Sequence, residues 1–437
     1  LIPRYTRSEM ADLWADETKF RVWWEIETLV VEALAREGRV PESLAPAMRE
    51  VRNFDPAAIA AAEESTQHDV VAFLEVMTRG LGADARHVHA GLTSSDLVDT
   101  GQAVRLRRAG LMIRKDIDRL ESAVASQADR HRNTVMVGRT HGIHAEPITF
   151  GLKMAVWFDE IRRNRTRLDR AIDAVSYGKL SGSVGTFAHV GPEVEAYVCE
   201  RLDLRPAPAS TQVVQRDRIA EFLSTLAIIG GSLETFATEI RALQRTEIGE
   251  VEEPFLTSQK GSSSMPHKRN PVVCERIVGL ARLLRSYAGA GFENIALWHE
   301  RDISHSSVER VILPDACALT DYICLQMTRV IEGLNVNVRR MRENIHLTRG
   351  LVFSQRVLLE LTGKGWARSE AYDLVQSLAK AVLEGGPDLR ARLKADEQVT
   401  KSASPDDIDG WFDVNRYLGR LEQIYARVGL QAKVREC

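Results

Sequence analysis

Five stretches of this chain keep a helical apolar period far longer than an ordinary helix does, and they leave little room for a sheet. They run over residues 97–131, 148–176, 212–246, 271–291 and 305–335, against a mean helix of about 11–12 residues. In the first, Val104, Leu106, Leu111, Ile113, Ile117, Leu120 and Val124 recur at helical spacing. A shorter helix carries Leu13, Phe20, Trp23, Trp24 and the apolar run from Ile26 to Val31, ending near Gly38. Glycine, serine and proline fill the breaks at 138–147, 178–192, 205–208 and 252–271. Strand-like alternation is nearly absent, and a short hairpin around 178–190 is the most β structure expected. The pattern predicts an all-α protein. An elongated central helical bundle (residues 94–346) is flanked by smaller N-terminal (1–93) and C-terminal (347–437) helical domains. The last is punctuated by Gly363, Gly365, Gly385, Gly386 and Pro405. Wide apolar stripes such as Leu223, Leu226, Ile228, Ile229, Leu233, Phe236 and Ile240 predict a homo-oligomer, and Gly230 and Gly231 allow close helix contact there.

With 437 residues the chain has length for two or three domains, and 44% hydrophobic with 27% charged residues is the balance of a soluble protein. Lys and Arg total 58 against 61 for Asp and Glu, a net charge of −3 that argues against nucleic acid or a membrane surface as partner. Any anion site must therefore be a local cluster. No apolar run reaches the ~18–20 residues of a membrane span, and the opening residues show no basic-then-apolar leader pattern. Cys199, Cys274, Cys317, Cys324 and Cys437 form no CxxC pair and read as reduced thiols. A cytoplasmic protein is expected.

Residues 261–271 read Gly-Ser-Ser-Ser-Met-Pro-His-Lys-Arg-Asn-Pro. The Gly/Ser run suits neither helix nor strand and makes a mobile loop dense in hydroxyls and N–H groups. Lys268 and Arg269 add charge, and Asn270 with Pro271 reads as an N-cap followed by the first helical position. Together they suit an anion; the plain alternative is a flexible linker before a capped helix. Thr93, Ser94, Ser95 and Asp96 precede the first long helix; Thr93 and Ser94 there either receive a carboxylate with their hydroxyls and free N–H groups, or the segment simply caps the helix with Asp96 in its first turn. His141 lies between glycines in a break, and its ordinary pKa of ~6.5 suits acid–base work. His141 and His144, with His87 and His89, form a conceivable zinc set. However, no HExxH is present (His299-Glu300 runs into Arg301, Asp302 and Ile303) and no cysteine is near. Neither metal nor cofactor is expected. A helix starting near Ser304 puts Ser306 and Arg310 on one face, and with Arg301 they form a donor set for a phosphate. The alternative there is a solvated face on which Arg301–Asp302 and Glu309–Arg310 compensate. Gln67, His68 and Asp69 open another helix, and Arg4 with Tyr5 is a further donor pair.

The 261–271 loop resembles the signature of the fumarase/aspartase superfamily, whose members release fumarate or a close relative from a substituted succinate. The patches at 93–96 and at Thr140-His141 resemble its other two, in order and spacing across the whole chain. The His267 form is similar to that of the adenylosuccinate lyases; fumarases and aspartases carry Gly or Ala there, and argininosuccinate lyases Gln. Carboxymuconate cycloisomerases share the His form. Arg4-Tyr5, Gln67-His68-Asp69 and the Arg301, Ser306, Arg310 set favour the lyases, whose nucleotide substrates (adenylosuccinate and SAICAR) carry a phosphate. A crystallin-like structural role would require lost catalytic residues, whereas His141, Ser262 and Lys268 are in place.

The resemblance implies Ser262 as general base and His141 as the acid for the leaving nitrogen, with His68 assisting and His89 as a nearby alternative. It implies Lys268, Asn270 and Ser263 as holders of the developing charge, and Thr93 and Ser94 as holders of the succinyl carboxylates. Gln212 would contact the succinyl or base portion, and Glu275 would orient a histidine. Arg4, Tyr5, Arg301, Ser306 and Arg310 would grip the phosphate, with Gln67 and Asp69 also in the binding set. It further implies a homotetramer in which three subunits contribute to each site. Ser264 stands where related lyases often have Ala or Thr, so which of Ser262, Ser263 and Ser264 is the base stays open, with Ser262 the choice.

Overall fold

The structure, a computed structural model, describes residues 2–51, 53–255, 258, 260, 261 and 264–430. Ser262, Ser263 and Cys437 lie outside the described residues. The fold is all-α, 67% helical. The five long periodic stretches are the helices Ser94–Arg130, Phe150–Val175, Asp217–Leu243, Val272–Glu293 and Ser304–Glu332. Their ends lie within a few residues of those expected, apart from the start of the third. Residues 212–216 are not helical there, because Asp99 takes the Val214 N–H (2.8 Å) and the Arg216 guanidinium (2.6 and 3.0 Å). By length and composition Asp217–Leu243 is apolar enough to cross a bilayer, but 67% of its most apolar window is buried inside the protein, as in a core helix.

The chain forms two compact units. The first comprises residues 1–120, 161–235 and 276–328. Its core is organised by the helix Asp16–Arg36, which buries Trp23, Trp24, Ile26, Val30 and Leu34 against Leu44, Met48, Phe73 and Val198. Each such apolar side chain contributes about 1.5–3 kcal/mol on full burial. Phe73 meets Trp23 edge-on at 5.4 Å, and the Trp24 indole N–H donates to the Met48 carbonyl at 2.9 Å. Gly230 meets Leu284 of the Val272–Glu293 helix so closely that an added Cβ would lie 2.7 Å from it, whereas Gly231 faces open space.

The second unit comprises residues 121–160, 236–275 and 329–437. It holds a feature the sequence reading placed elsewhere. The hairpin is Val135–Thr140 with Ile143–Thr149, and residues 178–190 form none; there, Tyr177–Gly178 pairs in parallel with Arg205–Pro206. The hairpin registers Val135 opposite Thr149 and Thr140 opposite Ile143, with an irregularity between Val137 and Arg139. Val137 packs into the C-terminal core of Ile345, Phe353, Val357, Leu361 and Trp411. Arg139 makes a bidentate pair with the fully buried Glu250 (2.8 and 2.9 Å), whose Oε1 also accepts from the Asn344 amide at 2.8 Å.

Candidate active site

In the first unit the polar islands condense into one network. Ser94 begins its helix with the Thr93 N–H donating to Asp96 at 2.8 Å, half of a capping box. His68 caps the helix Asp69–Met77, its Nδ1 accepting from the Val71 N–H at 3.5 Å and its Nε2 lying 3.4 Å from Ser94 Oγ. The next residue, Asp69, pairs with Arg310 at 2.5 Å, and Arg310 Nε lies 3.5 Å from Ser306 Oγ. Burial disfavours the Asp69 carboxylate's charge, but the Arg310 hydrogen bond and charge outweigh it and hold its pKa below the ordinary value. Gln212 joins the group, with Nε2 3.5 Å from Thr93 Oγ1 and Oε1 accepting from Arg301 at 3.3 Å.

The compensated-face alternative for residues 301–310 does not describe this arrangement. Asp302 spends its carboxylate on the Ser304 and Trp298 N–H groups (2.8 and 2.7 Å), and Glu309 pairs with the buried Arg216 at 3.2 Å. Arg301 and Arg310 are thereby left to Gln212 and Asp69. Beside them lies a cavity of about 230 Å³ whose lining includes Trp14, Trp23, Arg105, Arg301, His305 and Arg310. Burial, and then the nearby Arg216 charge, push the His305 imidazole down to about 4.

His89 takes a left-handed backbone (φ 63°) with its N–H and Nδ1 both on Glu27, at 3.0 and 2.6 Å. Burial lowers its pKa, yet the bond and charge of Glu27 prevail and raise it. Gln67 is also left-handed (φ 52°) but turns its side chain back to the Glu64 carbonyl at 2.8 Å. Arg4 and Tyr5 stand apart. Tyr5 packs on Tyr322 at 5.4 Å, twelve residues along the helix from Arg310 and so about 18 Å away at ~1.5 Å per residue.

The second unit carries His141 and the 264–270 segment. His141 (φ 55°) and Gly142 (φ 78°) are the two turn residues of the hairpin, which leaves the His141 side chain exposed at its tip. His144 sits in the second strand opposite Arg139, its Nδ1 buried without a partner and its pKa lowered, by burial first. No group of three His, Cys, Asp or Glu side chains suited to a metal is found among the described residues.

The helix at 272 starts differently from expectation. Asn270 does not cap it; its amide donates to the Gly261 carbonyl at 3.1 Å. The cap is Glu253, which takes the Val273 and Cys274 N–H groups at 3.2 and 2.6 Å. That carboxylate already occupies the helix N-terminus, so an anion held by this loop would have to use its side chains and loop N–H groups. Gly261 lies under the Lys268 carbonyl, where a Cβ would come within 1.8 Å. Lys268 is exposed, and Glu275 is exposed in the first helical turn with no hydrogen-bonded histidine among the described residues.

Sequence reading missed Glu27, which acts on His89 from 62 residues away in the chain.

The residues 4–284 match the model of the lyase family, and 350–428 match that of the adenylosuccinate lyase C-terminus. The adenylosuccinate lyase of Bacillus subtilis is 46% identical over 98% of this chain and 100% of its own length. That of Thermotoga maritima is 47% identical over 98% and 99%. Among solved structures, the 3-carboxy-cis,cis-muconate lactonizing enzyme of Pseudomonas putida superposes with a TM-score of 0.88 at 31% identity, covering 97% of this chain and 96% of that one. A fumarate lyase from Mesorhizobium sp. BNC1 gives 0.90 at 28%, covering 99% and 100%. The chain belongs to the adenylosuccinate lyase family of the fumarase/aspartase superfamily.

Proposed function

We propose that this chain eliminates fumarate from adenylosuccinate, leaving AMP, and from SAICAR, leaving AICAR, in purine nucleotide biosynthesis. The observation that carries the reading is full-length identity of 46–47% to adenylosuccinate lyases, together with the match to their C-terminal model. The muconate lactonizing likeness, at 31%, is the second reading and rests on the shared fold. Release of AMP and fumarate in equal amounts from adenylosuccinate tests the first.

The chemical difficulty is a weakly acidic C–H beside a carboxylate, since proton removal loads that carboxylate with extra charge. Ser262 takes the proton, and Lys268, Asn270 and Ser263 hold the aci-carboxylate. His141 protonates the departing nitrogen. A serine alkoxide needs a preorganised, water-poor setting, which closure of the 261–271 loop would supply. Thr93, Ser94 and Gln212 receive the succinyl group, with His68 beside them. Arg301, Ser306 and Arg310 grip the phosphate. Because Asp69 already holds Arg310, the phosphate must compete for it. Arg310→Ala is accordingly expected to raise KM for phosphorylated substrates with little effect on kcat; an unchanged KM in steady-state kinetics removes Arg310 from the grip.

Arg4 and Tyr5 serve the same phosphate only if another copy supplies them, given the separation of about 18 Å along the helix. Exposed Leu111, Ile228, Leu283, Phe292 and Val311 on long helices are apolar surface that such copies would cover. Both observations support an oligomer with shared sites, of which a homotetramer is the form proposed, and the buried thiols of Cys199, Cys274, Cys317 and Cys324 fit a cytoplasmic setting. Mixing an inactive His141 variant with an inactive Ser262 variant should then restore partial activity. No recovery after verified subunit exchange counts against sharing.

A further inference from the structure

Lys179 is fully buried in the first unit, and its ammonium is the meeting point of three segments of chain. An ammonium has three N–H donors, and here each has an acceptor: Asp96 Oδ1 at 2.6 Å, the Gln212 carbonyl at 2.9 Å and the Gly182 carbonyl at 3.0 Å. Asp96, also fully buried, is equally committed. Its Oδ2 accepts the Thr93 N–H at 2.8 Å and its Oδ1 the Gly182 N–H at 3.3 Å. The lysine backbone is fixed in turn by Thr100 Oγ1, at 2.9 Å from its carbonyl and 3.1 Å from its N–H. The loop before the Ser94 helix, the 179–182 turn and the 210–214 segment thus converge on one charge pair.

We infer that Lys179 is a positioning residue for substrate: through its carbonyl bond to Gln212 and, by way of Asp96, through the Thr93 N–H, it sets the spacing of two groups that receive the succinyl moiety. The inference rests on the roles given to Thr93 and Gln212 in the proposed function. A stability role alone does not account for the arrangement. Two buried charges repay their desolvation poorly, and an apolar pair of similar volume often holds a core as well or better. What an apolar pair does not supply is a donor for the Gln212 carbonyl or an acceptor for the Thr93 N–H. Gln212 in turn bridges Thr93 and Arg301 at 3.5 and 3.3 Å, so a displaced Gln212 backbone would disturb both succinyl and phosphate contacts.

The test is the double variant Lys179→Met/Asp96→Leu, which removes both charges together with the Gln212 donor and the Thr93 acceptor, and leaves neither ion alone in the core. It should keep the wild-type oligomer and stay folded, melting below the wild type because the Gln212 and Gly182 carbonyls lose their donor. KM for adenylosuccinate should nevertheless rise at least about tenfold, with a smaller fall in kcat, because small misplacements of binding groups are costly. A folded double variant with wild-type KM overturns the inference. If the variant does not fold, hydrogen exchange on the wild-type enzyme with AMP and fumarate decides. Residues 93–96, 179–182 and 210–214 should gain protection together, and protection of 93–96 with the other two unchanged overturns it. A wild-type protein that releases no fumarate from adenylosuccinate fails the functional reading first and the inference with it. An active wild type with an unaffected variant fails the inference alone.

Discussion

His141→Asn is expected to lower kcat by about 10²–10⁴-fold, the range of a lost general acid, with KM changed little. Asparagine is the informative replacement because of where the residue sits. His141 and Gly142, at φ 55° and 78°, form a two-residue turn in which both positions are left-handed. Asn-Gly is the pair best suited to such a turn. The hairpin beneath it is held by the Arg139–Glu250–Asn344 cluster and by Val137 in the C-terminal core. The variant therefore keeps the scaffold and removes only the group able to hand over a proton. Near-normal kcat would move the proton transfer to another histidine, and His68, 3.4 Å from Ser94 Oγ, would be the next candidate.

Ser262→Ala is expected to lower kcat at least ~10²-fold while substrate binding stays largely intact. Alanine removes one hydroxyl and leaves those of Ser263 and Ser264, and the Lys268 ammonium, unchanged in the sequence. Gly261 under the Lys268 carbonyl and the Asn270 amide on the Gly261 carbonyl tie the two ends of this segment together. A change at the neighbouring side chain should therefore not release the loop. Single-turnover measurement of C–H cleavage gives the cleanest reading. Near-normal turnover would assign the base to Ser263 or Ser264.

The long helices were legible because their signal is local and repeated, with apolar residues at helical spacing over many turns. The same locality made Ser306 and Arg310 readable as one face, and they do lie 3.5 Å apart. The hairpin was not legible. The register change after Val137 interrupts its alternation, while Gly138 and Pro147 read as breaks rather than as strand residues. The N-terminal cap at residue 272 was misassigned for a related reason. Asn270 and Pro271 make a sound local cap, but Glu253 reaches the same N–H groups across the fold. Partnerships such as Asp69 with Arg310, 241 residues apart, leave no trace in spacing. Lys179 was missed likewise, since its acceptors come from three separate segments.

The most direct measurement offers the purified protein adenylosuccinate, SAICAR and 3-carboxy-cis,cis-muconate separately and identifies the products. Fumarate formed together with AMP from the first and with AICAR from the second, and no lactone from the third, is the predicted result. Lactone formation from the muconate, with no fumarate from either nucleotide, would contradict it.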